Sequence, residues 1–308
     1  MSVFDTFRIT PGKDDAARLE NFAARICEPG LKIFLRLAKR LKPRAKAGLV
    51  HDLRVGARRL IARLEILEIL SPGAASRLWR VRLAGLVEAL SPVRNADASR
   101  NILQKISKKG LSTEEREALA HLSRALKKRR RKKLALALDY WRVEKPSGCG
   151  EELRFMARSL SRSVVKRRED YPAAFCAHMA VRAGQALRRL KKARKEPTSR
   201  RLHELRIAVR RLRYAGEISQ AALGRPGGEA ASDMRRMQRA LGEHHDLAVL
   251  IARILKLKKR IRRAYPGGAG LRDSFDRLIA RCRREQLRKP VLLKRLAGAG
   301  QAGPRRSG

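Results

Sequence analysis

One stretch, present twice, constrains this chain more than any other feature. His51-Asp52-Leu53-Arg54-Val55-Gly56-Ala57-Arg58-Arg59-Leu60 returns 152 positions later as His203-Glu204-Leu205-Arg206-Ile207-Ala208-Val209-Arg210-Arg211-Leu212, and Glu65 returns as Glu217. Of the sixteen positions from 51 to 66, eight are identical at that offset, which is close to half of the 308 residues. Duplication of half the chain is the simplest account.

Laid out as a helix, the stretch sorts into two stripes. Leu53, Ala57, Leu60, Leu64 and Leu67 form an apolar stripe fit for a core, and His51, Arg54, Arg58 and Glu65 form a polar one beside it. The second copy does the same, with Leu205, Val209 and Leu212 on one stripe and His203, Arg206, Arg210 and Glu217 on the other. Arg213 adds to the second polar stripe and lies one turn before Glu217, a spacing that suits an ion pair. A solvated surface needs arginines but has no need to hold His and Glu in register with them twice.

Composition narrows the rest. The chain is 44% apolar, mostly Leu and Ala, with only 4% aromatics, which predicts an all-α protein with a sizeable core. A formal net charge of +46 implies a polyanionic partner such as nucleic acid, an anionic membrane surface or a phosphate polymer. The four cysteines are widely spaced, with no Cys-x-x-Cys pair, so no disulfide framework is expected and a reducing compartment is. Neither a signal peptide nor a run long and apolar enough to span a membrane is seen, so membrane insertion is not expected and the cytoplasm is the expected location.

Taken in order, residues 1–13 form a short leader, 14–142 a first helical half, 143–150 a linker, 151–289 a second helical half and 290–308 a basic flexible tail. In the first half, Ser91-Pro92 is expected to break the helix after the motif helix, so that one helix ends near Leu90 and another starts near Arg94. A similar break is expected between Leu241 and His245. Ser112-Thr113-Glu114-Glu115 reads as a capping box opening a long helix. Inside that helix lies the run Lys127 to Lys133, KKRRRKK, expected to be a solvated surface adding to the general field. The repeat also reaches the preceding helix, where Arg36, Lys39 and Arg40 match Arg188, Lys191 and Lys192, a candidate second set of cations.

The paired His-x-x-Arg-x-x-x-Arg-Arg motifs resemble the CHAD family, the conserved histidine α-helical domain, over roughly residues 14–288. The resemblance implies two bundles of about four helices related by a pseudo-twofold axis, with a basic cleft or pore between them. It also implies binding of inorganic polyphosphate and association with polyphosphate granules. Position by position, His51, Arg54, Arg58 and Arg59 match the first motif, and His203, Arg206, Arg210, Arg211, Arg213 and Tyr214 the second. A further family signature, a Leu-Gly…Arg-Asp turn, is kept in part. Leu241-Gly242 leads to His245-Asp246, with His245 where Arg is usual, and Leu90-Ser91 leads to Arg94-Asn95, with Asn95 where Asp is usual.

The residue types suit a phosphate polymer, which offers charge and no bases. Arginine presents a fixed fork of donors to phosphate oxygens, and lysine a mobile point charge. Glu65, Glu217 and Asp246 are expected to orient arginines rather than touch the ligand. No catalysis, cofactor or metal is expected. A triphosphatase-type domain would need strands carrying Glu-x-Glu-x-Lys, and the adjacent His244-His245 lacks metal-ligand spacing. The rival reading is a general basic nucleic-acid binder. Nonspecific nucleic-acid binding is expected at low salt, but few aromatics are available for stacking and no recognition signature is present.

Overall fold

The computed structural model describes Thr10 and residues 28–70, 74–108, 110–144, 151–152, 155, 171–223, 228–264 and 269–298. All of residues 14–27 and residues 145–150 of the linker therefore lie outside the described residues, and the leader and the helix expected over 151–168 are described at only a few positions. The eight elements described are all helices: α1 (Glu28–Lys39), α2 (Ala47–Leu70), α3 (Ala74–Ser107), α4 (Thr113–Glu144), α5 (Tyr171–Lys195), α6 (Ser199–Leu223), α7 (Gly228–Ala264) and α8 (Ala269–Gly298). α2 and α6 carry the two motifs. The apolar stripe is the buried one, as the period requires, with Leu53, Ala57, Leu60, Leu64 and Leu67 of α2 and Leu205, Val209 and Leu212 of α6 in the core.

Three helix ends differ from those expected. α3 passes through Pro92 without a break. Leu83, Leu86, Leu90 and Val93 continue one buried face on both sides of the proline. A proline inside a helix forfeits one backbone bond, and here the packing on either side outweighs that loss. α7 likewise runs unbroken through Gly242 to His245, so the partial signature sits inside a helix in each half rather than in a turn. α8 extends to Gly298, past the end expected at Lys289. The capping box forms as read. The Ser112 hydroxyl accepts from the Glu115 amide at 3.2 Å, and the Glu115 carboxylate accepts from the Ser112 amide at 3.2 Å.

Two apolar cores form, and each draws on both halves of the sequence. The larger joins α1, α2, the N-terminal part of α3, the C-terminal part of α4, α5, α6 and the start of α7. The smaller joins the far end of α3, the near end of α4, the later part of α7, and α8. α3 and α4 therefore run antiparallel, each crossing from one core to the other. On α3 the change falls between Val93 and Ala96, and on α7 between Leu241 and Leu247. Arg94 and Asp246 occupy those two crossing points. Glu115, buried at the start of α4, ties the smaller core across the halves by accepting from Arg281 of α8 at 3.4 Å.

Candidate functional site

With the apolar stripes of α2 and α6 turned inward, their polar stripes lie near each other and near the crossing points of α3 and α7. Arg54 is only 8% exposed. One of its terminal nitrogens donates to the Ser91 hydroxyl at 2.9 Å, which donates on to the Val87 carbonyl at 2.6 Å, while its Nε is buried without a partner. Burial, then the charges of Arg94, Arg206 and Arg210, push Arg54 down to about 10. Arg58 is pushed down to about 10 by burial and then by Arg54, and Arg210 to about 9 by burial, Arg58 and Arg206. Burial also lowers Arg206, with Arg94 adding to it and Asp246 opposing. Four guanidinium groups, two from each half, thus converge where water is scarce. All remain charged at neutral pH, and an anion placed among them would relieve the repulsion.

The two signature residues that this chain keeps face each other. The Arg94 guanidinium lies 3.8 Å from the Asp246 carboxylate, and Arg94 Nε donates to His51 Nδ1 at 3.3 Å. Burial holds the Asp246 carboxyl above the usual range even against Arg94, Arg206 and Arg54. In the second half the matching neighbour of the motif histidine is another histidine. The His203 and His245 rings lie 5.2 Å apart, tilted by 36°. Burial, then Arg206, His203, His244 and Arg54, push His245 down to about 4. His51 and His203 are lowered as well, first by burial and then by arginines, Arg94 for the former and Arg206 for the latter.

The remaining expected residues divide. Tyr214 is buried beside Arg58, Arg206 and Arg210. Arg213 lies with its guanidinium 4.6 Å from the Tyr214 ring centre, donates to Gln238 at 2.7 Å and pairs with Glu217. Exposed Arg59 pairs with the other oxygen of Glu217 at 3.2 Å. Glu217 therefore holds two motif arginines from opposite halves. Glu65 holds none, pairing instead with Arg182 of α5 at 2.9 Å and Arg80 of α3 at 3.8 Å. Arg211 is exposed near Arg182 and Arg210. Arg36, Lys39, Arg40, Arg188, Lys191 and Lys192 are all exposed, and none is among the principal charges acting on the central arginines.

The sequence marks Arg94 as a signature residue but not as part of the site, and no motif in it marks Arg80, Arg182 or His178. Arg80 and Arg182 have no basic counterpart at the repeat offset, where Ser232 and Gly30 stand, so the repeat carried no signal for them. Two cavities flank the arginines. One of about 720 Å³ opens beside Arg94 and Asp246, and one of about 410 Å³ beside Arg58, Arg210, Arg182 and Tyr214. Among the described residues no group of three or more His, Cys, Asp or Glu could hold a metal ion, and no helix is long and apolar enough to cross a membrane.

A helical fold with two motif helices meeting at an arginine centre defines the class. The model of the CHAD domain family matches residues 31–255, most of the chain, and the protein belongs to that family. Its structure is similar to the crystal structure of the CHAD domain from the plant Ricinus communis, with a TM-score of 0.65 at 19% identity, covering 93% of this chain and 92% of that one. It is also similar to PptA from Streptomyces chartreusis, with a TM-score of 0.63 at 19% identity, covering 90% of this chain and 98% of that one. At such identity the likeness speaks for the fold. No curated protein matches the sequence.

Proposed function

We propose that this protein binds inorganic polyphosphate, without turning it over, in a basic cleft between α2 and α6, and acts at polyphosphate granules in the cytoplasm. The observation that carries the reading is the convergence of Arg54, Arg58, Arg206 and Arg210, each lowered by burial and by its neighbours' positive charge. Among the principal charges acting on Arg54 and Arg206, the one carboxylate is Asp246. A polymer with about one charge per phosphate would supply the missing countercharge along the line of the stripe. Arg58 and Arg210 on one side and Arg94 on the other would take successive phosphates. The neutral histidines would charge when an anion arrives and add donors.

The test is competition of long-chain polyphosphate against duplex DNA and single-stranded RNA of matched charge, near physiological salt. The expected result is a clear preference for polyphosphate that Arg54→Ala/Arg58→Ala/Arg206→Ala/Arg210→Ala abolishes while circular dichroism stays unchanged. Equal competition by nucleic acid, with the variant unaffected, would overturn the reading in favour of a general basic nucleic-acid binder. Release of phosphate from the polymer by the purified protein would overturn its non-catalytic part.

A further inference from the structure

The run from Lys127 to Lys133 does not behave as one surface. Arg130 turns inward, donating to Asp97 at 2.6 Å and to the Ala45 carbonyl at 2.6 Å, which fixes the rotation of α4. With α4 so turned, Lys128, Arg129, Lys132 and Lys133 line a groove of about 600 Å³ whose other wall carries Arg253, Lys256 and Arg260 of α7. The spacings are those of one helix face on each side, at i, i+1, i+4 and i+5 on α4 and at i, i+3 and i+7 on α7. Its floor is aliphatic, from Leu122, Leu126, Leu257 and Ile261.

Among the described residues no carboxylate lines this groove. Among the described residues, none of its seven Lys and Arg side chains forms an ion pair, whereas beside the motif arginines Asp246 faces Arg94 and Glu217 pairs with Arg59 and Arg213. Arg129 Nε is buried without a hydrogen-bond partner. Arg253 is lowered by burial and by the charge of Arg129, with no acid opposing. Lys128, Lys132, Lys256 and Arg260 are exposed and Arg129, Lys133 and Arg253 half-buried, so seven cations line one groove open to solvent, with one unused buried donor, an arrangement that an anion would complete. No residue is shared with the cavities beside the motif arginines.

We propose that the groove between α4 and α7 is a second binding site for a polyphosphate chain, distinct from the motif centre. The inference rests on polyphosphate being this protein's ligand. A single nucleic-acid strand fits the groove less well, because among the described residues the one aromatic ring lining it is His121, with no Phe, Tyr or Trp to stack a base. Two sites on one molecule make long chains bind more tightly than short ones, since the second contact is intramolecular.

The experiment uses Lys128→Ala/Lys132→Ala/Arg253→Ala/Lys256→Ala in the full chain, with long-chain polyphosphate and with oligo(dT) of matched charge, titrated over a range of salt. Expected is a loss of about tenfold in polyphosphate affinity near physiological salt, with the slope of log affinity against log salt shallower by roughly 3, as four lost charges imply. Lysine acetylation read by mass spectrometry should show Lys128, Lys132, Lys133 and Lys256 shielded by polyphosphate in the unaltered protein. An unchanged affinity and slope with these lysines unshielded would sink the groove while leaving the motif centre standing. Loss in the groove variant with none in the central arginine variant would sink the motif centre and keep the groove. Tighter binding of oligo(dT), lost in the groove variant, would make the groove a nucleic-acid surface and overturn the proposal.

Discussion

The two halves share one motif but surround its histidine differently. In the first, Arg94 donates to His51, so a fixed charge stands beside the ring. In the second, His245 lies beside His203, and burial lowers both rings, with Arg206 the next cause for each and His245 brought to about 4. The one carboxylate in the matching position, Asp246, belongs to the second half but faces Arg94 of the first. The halves thus match in the buried stripe of their motif helices and differ in the charge beside it. A repeat can keep a shape on both sides of a site while its titratable groups diverge, because packing is set by the apolar stripe and charge by single residues.

The equivalence is the easier part to break. Leu53 and Leu205 are each 0% exposed at matching positions, and both belong to the larger core. Leu53→Ala and Leu205→Ala should each cost about 3 kcal/mol. Because that core spans both halves, both variants should lower the midpoint of one shared thermal transition. Two separate transitions, each sensitive to only one variant, would show instead that the halves unfold independently.

The inequality predicts a smaller effect at Asp246. Asp246→Asn removes the acid that Arg94, Arg206 and Arg54 share. Because burial holds this carboxyl above its usual range, its charge opposes folding on balance, and the ligand-free variant should be at least as stable as the parent at pH 7. Polyphosphate should bind the variant more tightly, since the polymer then meets the arginines without a competing carboxylate. A clear loss of thermal stability in the ligand-free variant would show that the pairing with Arg94 outweighs the burial.

The fold was legible where a period carried it. The buried faces of α2 and α6, the cap at Ser112 and the bounds of α5 all follow from local pattern. The continuity of α3 does not, because Pro92 is a local breaker and only the burial of Leu90 and Val93 on both sides overrides it. The site was legible as a stripe and not as a constellation. Arg54 and Arg206 could be picked from the repeat, but the pairing of Arg94 with Asp246 joins α3 to α7 across the two halves. The split of the basic run into Arg130 facing inward and Lys128 facing a groove depends on the rotation of α4, which tertiary contacts set.

Histidine titration separates the halves further. A group lowered on folding supports the fold above its unfolded value and withdraws that support as pH falls through it. His245, at about 4 against an ordinary 6.5, and His178, also at about 4 through burial and Arg182, should make the ligand-free protein less stable between about pH 6.5 and 4. Asp246, held high, acts in the opposite sense and moderates the fall. His245→Asn should flatten the profile of melting temperature against pH in that window, while His51→Asn, beside a fixed Arg94 charge, should flatten it less. Polyphosphate binding should strengthen over the same fall in pH, because the anion favours the charged rings. An affinity that is level from pH 7.5 to 5.5 would place the histidines away from the ligand.

The smallest effects distinguish the two glutamates. Glu65 and its partner Arg182 have side chains only 19% and 15% exposed, whereas Glu217 and Arg59 are 37% and 46% exposed. Glu65→Gln should therefore cost about 1 kcal/mol and Glu217→Gln a few tenths, in line with how exposure weakens ion pairs. Binding should separate them in the other order. Glu217 neutralises Arg59 and Arg213, both on the motif, so its removal sets positive charge free beside the polymer. If neutralisation is its main effect, Glu217→Gln should raise polyphosphate affinity about twofold at low salt, with the gain fading as salt rises. If its main effect is to hold Arg213 against Tyr214 and Gln238 in a binding geometry, affinity should fall at all salt concentrations. Arg213, only 14% exposed and held independently by Gln238 at 2.7 Å, keeps its place without Glu217, which favours the first outcome.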